Sequence, residues 1–247
     1  MVIEALRGPS VDLFDGLAES VVKELMQQAQ ARRIPADTLL FSEGQPARAV
    51  HVLLSGFVKM VQTTPCGEHV ITRYIKPGET FGTPALLNGV YPAEAITVTN
   101  CVELQWPASI INDLMSQHPG VVRNALRDLE ARLREMESRL KDLSSGTVEQ
   151  RIAHALSKLA HKFGRLVPDG VEIPFPLSRQ DLADLAGTTL HTVSRTLGSW
   201  EVQGQIRRGR RRVIVKDVAA LALLGTQGAS PGPRPRRTHR RAGSRSR

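Results

Sequence analysis

The sequence predicts an α+β chain built in three parts: an N-terminal antiparallel β-roll of jelly-roll type, a long helix with a heptad seam, and a C-terminal winged helix-turn-helix. Three observations predict it. Short apolar runs punctuated by glycine recur over residues 38–106, apolar positions then alternate in steps of four and three from Val122 to Leu143, and two short capped helices followed by a basic hairpin fill residues 178–215. We place the parts at residues 1–118, 119–146 and 147–225, followed by a basic disordered tail at 226–247.

Before the strands, Leu17, Val21, Val22, Leu25 and Ala29 repeat at helical spacing and predict a short amphipathic helix. The runs TLLF, HVLL, FVKMV, HVITRYI, AITVT and CVELQW then read as strands separated by turn residues. Gly44, Gly56, Gly67 and Gly78 fall 12, 11 and 11 residues apart, the even spacing of an antiparallel roll. A helical period does not fit there.

After Pro107 the pattern changes. Val122, Leu126, Leu129, Leu133, Met136, Leu140 and Leu143 form a heptad stripe flanked by charged residues, too narrow for a globular core helix and suited to a second copy of the same helix. The competing reading is a helix packed on its own roll. A Ser-Ser-Gly sequence at 144–146 ends it, and Thr147 with Gln150 makes a capping-box pattern for a helix carrying Ile152, Leu156, Leu159 and Phe163.

The segment from 176 to 217 is the most informative. Ser178 with Asp181 resembles a capping box, Leu182, Leu185 and Ala186 supply an apolar face, and Gly187 ends the first helix. Thr188 or Thr189 caps a second helix in which Val193, Leu197 and Trp200 face inward at i, i+4, i+7, leaving Leu190, His191, Ser194 and Arg195 outward near its start. Exposed residues there are what a recognition helix presents to base edges in the major groove. Arg195 has the fork that bonds guanine O6 and N7, while Ser194 and His191 can each add a base or phosphate contact. Arg207, Arg208, Arg210, Arg211 and Arg212 crowd one predicted hairpin, with Gly209 in its turn, and suit a wing that grips phosphates. Ser178, Arg179, Thr189 and Thr192 complete the candidate DNA-binding set.

Charge agrees with this placement. Residues 1–177 carry 18 Lys+Arg against 20 Asp+Glu, residues 178–225 carry 8 against 4, and residues 226–247 carry 7 against 0, which gives −2, +4 and +7 and so the total of +9. A length of 247 residues with 41% hydrophobic content supports two globular domains rather than one. No run reaches the ~18 apolar residues of a membrane span, and the start lacks a signal-peptide pattern, so we expect a cytoplasmic protein with no membrane partner. Cys66 and Cys101 are too few for a disulfide scaffold or a four-cysteine cluster, and no metal site is predicted.

Taken together, roll, seam helix and winged helix-turn-helix resemble the Crp/Fnr superfamily of bacterial regulators over residues 13–218. The resemblance rests on LLFSEGQPARAVHVLLSGFVKM and IKPGETFG in the roll and on LSRQDLADLAGTTLHTVSRTLGSWE near the C-terminus. It implies an effector-sensing roll, a dimerisation helix, a palindromic double-stranded DNA site and contact with RNA polymerase.

Departures from the family pattern narrow the expectation. Members that bind cyclic AMP have a Glu after the glycine of the phosphate cassette, then an Arg-Ser or Arg-Thr pair; here Gly82 is followed by Thr83 and Pro84, and Ala93 and Glu94 stand where the pair belongs. A carboxylate there repels phosphate, so these five positions mark an effector pocket for something other than cyclic AMP, with an atypical cyclic-nucleotide cassette as the alternative. No cysteine precedes Cys66, which disfavours an iron-sulfur oxygen sensor. Many members have Glu three residues before the Ser-Arg pair, where this chain has His191, so the preferred base should differ there. The stretch TTLHTVSRTLGSWE is most similar to the branch that responds to nitrogen oxides, for which haem is a possible cofactor with His51, His69, His118, His154 and His161 as candidate ligands. The effector itself stays unknown.

Two rival classes exist. An enzyme is disfavoured because no Gly-rich phosphate loop, HExxH or GxSxG occurs. An architectural DNA-coating protein, supported by the basic tail, predicts binding without sequence preference and with a steep salt slope.

Overall fold

The computed structural model describes residues 11–209 and 212–226. A 3-10 turn at Asp12–Phe14 leads into helix α1 (Glu19–Gln27). The roll follows as β1 (Gln30–Ile34), β2 (Leu39–Phe41), β3 (Ala49–Ser55), β4 (Val58–Thr63), β5 (His69–Ile75), β6 (Thr80–Phe81), β7 (Glu94–Thr97) and β8 (Cys101–Pro107). These strands form two four-stranded antiparallel sheets, ordered β1-β8-β3-β6 and β2-β7-β4-β5. Six of the seven residues of β3 are buried, which explains why its sequence is a continuous apolar run: it is a central strand with both faces covered. Trp106, fully buried on β8, donates from its indole N–H to the Leu25 carbonyl at 2.8 Å and so fastens α1 to the roll.

Strand β1 is one that the sequence reading passes over. Its residues Gln30 to Arg33 are mostly exposed on an edge, paired only with β8, and carry no alternating pattern to detect.

Helix α2 (Ala108–Gln117) leads to α3 (Pro119–Ser145), whose 27 residues span about 40 Å. Pro119 occupies the first helical position, where its missing N–H costs nothing. Leu126, Leu129, Leu133, Met136, Leu140 and Leu143 on α3 are all exposed.

Helix α4 (Val148–Phe163) opens with both halves of the expected capping box: Gln150 N–H donates to Thr147 Oγ1 at 3.3 Å and Thr147 N–H to Gln150 Oε1 at 2.7 Å. Beyond it lie β9 (Arg165–Val167), β10 (Gly170–Glu172), α5 (Arg179–Ala186), α6 (Leu190–Val202), β11 (Ile206–Gly209), β12 (Arg212–Val215) and α7 (Val218–Thr226), with the third sheet ordered β11-β12-β10-β9. Ile152, Leu156, Phe175, Leu182, Val193, Leu197 and Trp200 make the core of this part, and Val61, Ile71 and Tyr74 of the roll join the same cluster. Phe57 and Tyr74 meet Phe175 with ring centroids 4.7 and 4.8 Å apart, so an aromatic contact joins the two folded units.

Candidate nucleic-acid interface

Helix α5 begins as its sequence requires, with Asp181 N–H donating to Ser178 Oγ and Ser178 N–H to Asp181 Oδ2, both at 2.9 Å. Gly187 ends it at φ +58°, a left-handed conformation that disfavours a side chain. Thr189 is the N-cap of α6, its Oγ1 accepting from Thr192 N–H at 3.3 Å. Val193, Leu197 and Trp200 are buried, and Trp200 donates to Glu149 Oε1 at 3.1 Å. That anchoring turns Leu190, His191 and Arg195 outward at the start of α6, with His191 and Arg195 on one face at i, i+4, while Arg179 is exposed at the first position of α5.

Ser194 requires a correction. It is half-buried, and its hydroxyl is enclosed without a hydrogen-bond partner rather than presented to solvent. The reason is angular: Ser194 sits three residues before Leu197 and so borders the inward stripe. Ser178 likewise commits its hydroxyl to the cap.

The wing also differs from five free arginines. Arg208 clasps Glu201 of α6 through its Nε and Nη2, Arg207 pairs with Asp169, and Arg212 reaches Glu172 at 3.3 Å. Glu201 and Glu172 are held below the ordinary carboxylate range by these arginines, with Arg165 the largest influence on Glu172. Counting charges along the chain could not reveal acidic partners supplied by a turn and a helix elsewhere. Gly209 lies at the end of β11, paired with Arg212, rather than in the turn. Arg210 and Arg211, and the tail from 227 onward, lie outside the described residues.

In the roll, Gly82 has φ +75° and caps a 3-10 helix, Thr83–Leu87, with Pro84 in its first turn. A Cβ on Gly82 would stand 2.7 Å from His51 Cδ2 and 3.5 Å from Tyr91 Cε1. Ala93 is buried two residues beyond Tyr91, and Glu94, half-buried at the start of β7, pairs through its backbone with Val61.

Two comparisons identify the chain's relatives. Residues 31–118 match the cyclic nucleotide-binding domain and residues 150–224 the Crp-like helix-turn-helix domain. The cyclic AMP receptor protein of Thermus thermophilus is 32% identical over 210 residues, covering 85% of this chain and 94% of that protein. This chain belongs to the Crp/Fnr family of transcription regulators. The CRP-like cAMP-activated global transcriptional regulator of Mycobacterium tuberculosis is 26% identical over 211 residues, covering 85% of this chain and 94% of that protein. The structure of FixK2 from Bradyrhizobium japonicum superposes with a TM-score of 0.71 over 81% of this chain and 99% of that one, at 24% identity, which speaks to the fold. The family is one of DNA-binding regulators and is not enzymatic. No helix among the described residues is long and apolar enough to cross a membrane.

In this Crp/Fnr regulator the residues that sequence reasoning missed are arginines on the inward side of α3. Arg132 donates to Thr80 O at 2.8 Å and to Thr83 Oγ1 at 3.3 Å, reaching the turn that holds Gly82. Arg139 donates to Ile71 O on β5 at 2.7 Å and to Asp184 O on α5 at 3.0 Å, so one guanidinium on the long helix bonds the roll and the helix-turn-helix together. Lys59 of β4 adds an ion pair to Asp181 at 2.9 Å. In sequence these arginines were only the charged flank of a heptad; the four-three spacing they make with Asp128, Glu135 and Asp142 was the available signal.

The candidate haem ligands scatter. His51 is buried, 3.3 Å from Glu103 and stacked on Phe81; His154 gives its Nδ1 to Asp142 at 2.7 Å; His69 and His161 are exposed, and His118 lies at the junction of α2 and α3. His51 is packed among aromatic rings and His154 is occupied, so the arrangement does not fit a haem pocket.

Proposed function

We propose that this regulator is a homodimer that reads a palindromic double-stranded DNA site and is controlled by a small effector or a redox or gas signal other than cyclic AMP, in the cytoplasm and in partnership with RNA polymerase. The observation that carries the reading is the two-faced α3: its apolar seam is left open on one side, while on the adjacent side Arg132 and Arg139 bond the roll turn and α5. A second copy covers such a seam and sets two recognition helices at the spacing of two half-sites. Val122 and Leu126 to Leu143 are the interface residues, and Arg195 with His191 the base readers. Arg179, Thr189, Thr192, Arg207, Arg210 and Arg211 supply backbone contacts, with Arg208 and Ser194 contributing only if they leave their present surroundings.

Occupancy of the Gly82-Thr83-Pro84 turn, backed by Ala93 and Glu94, would alter what Arg132 holds and so shift the population of α3 pairings. The Glu94 side chain has no hydrogen-bond or ion-pair partner among the described residues, and an unpaired carboxylate disfavours a phosphate beside it. The cyclic AMP named for the Thermus and Mycobacterium relatives belongs to those proteins and defines the second reading here. Footprinting on genomic DNA, with and without cyclic AMP, tests both. Discrete protected palindromes unaffected by the nucleotide are expected; uniform protection contradicts the regulator, and palindromes that require the nucleotide favour the second reading.

A further inference from the structure

A groove of about 980 Å³ lies where β5, α3, α4, α5 and α7 converge, away from the Gly82 turn. Its size is that of a site for a small organic ligand. Helices α3 and α4 run antiparallel along it, shown by Lys162 pairing with Glu135 at 3.1 Å, Lys158 with Asp142 at 3.2 Å, and Arg151 donating to Gly146 O at 3.0 Å. The two ends therefore differ in chemistry. At the end near Lys162 stand Arg73 of β5 and Lys76 just beyond it, and at the end near Arg151 stand Leu143, Leu185 and Ala186, with Ala219 and Ala222 of α7 along the wall.

The cations outnumber the anions. Six Lys and Arg line the groove against Glu135 and Asp142. Those two carboxylates are taken by Lys162, Lys158 and His154, and Arg139 and Arg151 are spent on backbone carbonyls. Arg73 and Lys76 have no carboxylate in ion-pair contact among the described residues; Arg73 makes one bond, to Thr80 O at 3.3 Å. Burial first, and then the neighbouring Arg132, pushes the Arg73 guanidinium down to about 10 against the opposing pull of Glu79, Asp128 and Glu135, the mark of a cation short of solvation. Tyr74, on β5 and also lining the groove, is 2% exposed and its hydroxyl has no hydrogen-bond partner among the described residues.

We infer that this groove binds a small amphipathic anion, its carboxylate or phosphate at Arg73 and Lys76 and its apolar body along Leu143, Leu185 and Ala222. An occupant touches the roll, the long helix and the DNA-binding helices at once, and so fixes how the last sits on the first two. The regulatory consequence rests on the proposed effector-controlled function; the binding itself does not.

The test is calorimetric titration of the full chain with decanoate, below its micelle concentration, with decanol and decylammonium as charge controls. Saturable binding at one site per chain is expected, about tenfold or more tighter than either control. Lys76→Gln should weaken it by about tenfold, and Ala219→Trp, at an exposed position on the wall, should abolish it while melting like the parent. Equal affinity for decanol, or unaltered binding by both variants, overturns the site. Inorganic phosphate serves as a second probe: competition with decanoate supports a shared anion locus, and decanoate binding that neither phosphate nor Lys76→Gln affects counts against it. The titration contains no DNA, so its outcome falls on the groove alone. Failure of the ligand-free chain to protect any discrete site falls on the regulator reading, and decanoate that binds without changing affinity for a footprinted fragment overturns the coupling.

Discussion

Replacing Leu133 and Met136 by lysine should separate the proposed dimer. The two side chains are 55% and 65% exposed in the single chain, so more than half of each remains to be buried by a partner. Full burial of such a side chain stabilises by about 1.5–3 kcal/mol, which leaves about 1–1.5 kcal/mol for each of four side chains at a two-fold interface, or roughly 5 kcal/mol, between three and four powers of ten in Kd. Opposed lysines add like-charge repulsion on top. Exposure at these positions means the substitutions remove little packing within one chain, so the folded protomer should persist. Sedimentation velocity across a concentration series measures the dissociation, and fluorescence anisotropy compares a full palindrome with a half-site. The expected result is a folded monomer that binds both DNAs alike and weakly. A double variant that stays dimeric at micromolar concentration and keeps full preference for the palindrome would refute the assignment of the seam.

Arg195→Ala should cost about 1–3 kcal/mol per half-site and flatten the preference for one base pair while leaving binding to unrelated DNA unchanged, as anisotropy on a panel of substituted sites would show. Gly82→Ala combines φ +75° with a Cβ 2.7 Å from His51 Cδ2 and 2.8 Å from Ala49 O, so thermal melting should register a loss of about 3 kcal/mol. Gly44→Ala, at φ +77° with nothing within 4 Å, should lose only about 1 kcal/mol. The carboxyl of Glu172, lowered by Arg165 first and Arg212 after it, has a folded pKa below its unfolded one of about 4.3. Its stabilisation is therefore present above that unfolded value and disappears as pH falls through the folded one. Denaturant melts taken from neutral to acid pH should show Glu172→Gln less stable than the parent at neutrality and converging with it in acid; a constant gap would contradict the linkage.

What the sequence made legible was whatever has a period. Central strands such as β3 announce themselves by apolar runs, α3 by its heptads, and α5 and α6 by caps at Ser178 and Thr189 that form as their residue types require. Edge strand β1 and the short strands β9 and β10, of three residues each, carry too few buried positions to leave a pattern. At the interface, the inward anchors of α6 were legible because hydrophobic spacing fixes them, whereas the fates of Ser194 and Arg208 depended on where a neighbouring turn of helix and Glu201 come to lie. Long-range polar partners have no local signature, which is why the wing read as freer than it is.

The same limit hid the second stripe on α3. Asp128, Arg132, Glu135, Arg139 and Asp142 follow the seam's own alternation of four and three, each one residue before a seam position, at Leu129, Leu133, Met136, Leu140 and Leu143. Adjacent residues on a helix lie about 100° apart, so the two stripes occupy neighbouring faces. Each residue of the inward stripe has a partner outside α3 or supports one that does: Asp128 pairs with Arg132, Arg132 bonds Thr83, Glu135 holds Lys162, Arg139 bonds Ile71 and Asp184, and Asp142 takes His154 and Lys158. Because the helix is stiff, a rotation that repacks Leu133 against a partner must carry Arg132 with it, and one that repacks Leu140 must carry Arg139. Seam packing, the Thr83 turn and the α5 carbonyl are thus variables of one rigid body. The proposed dimer could not change one without straining the others, which would give an event in the roll a mechanical route to Arg195.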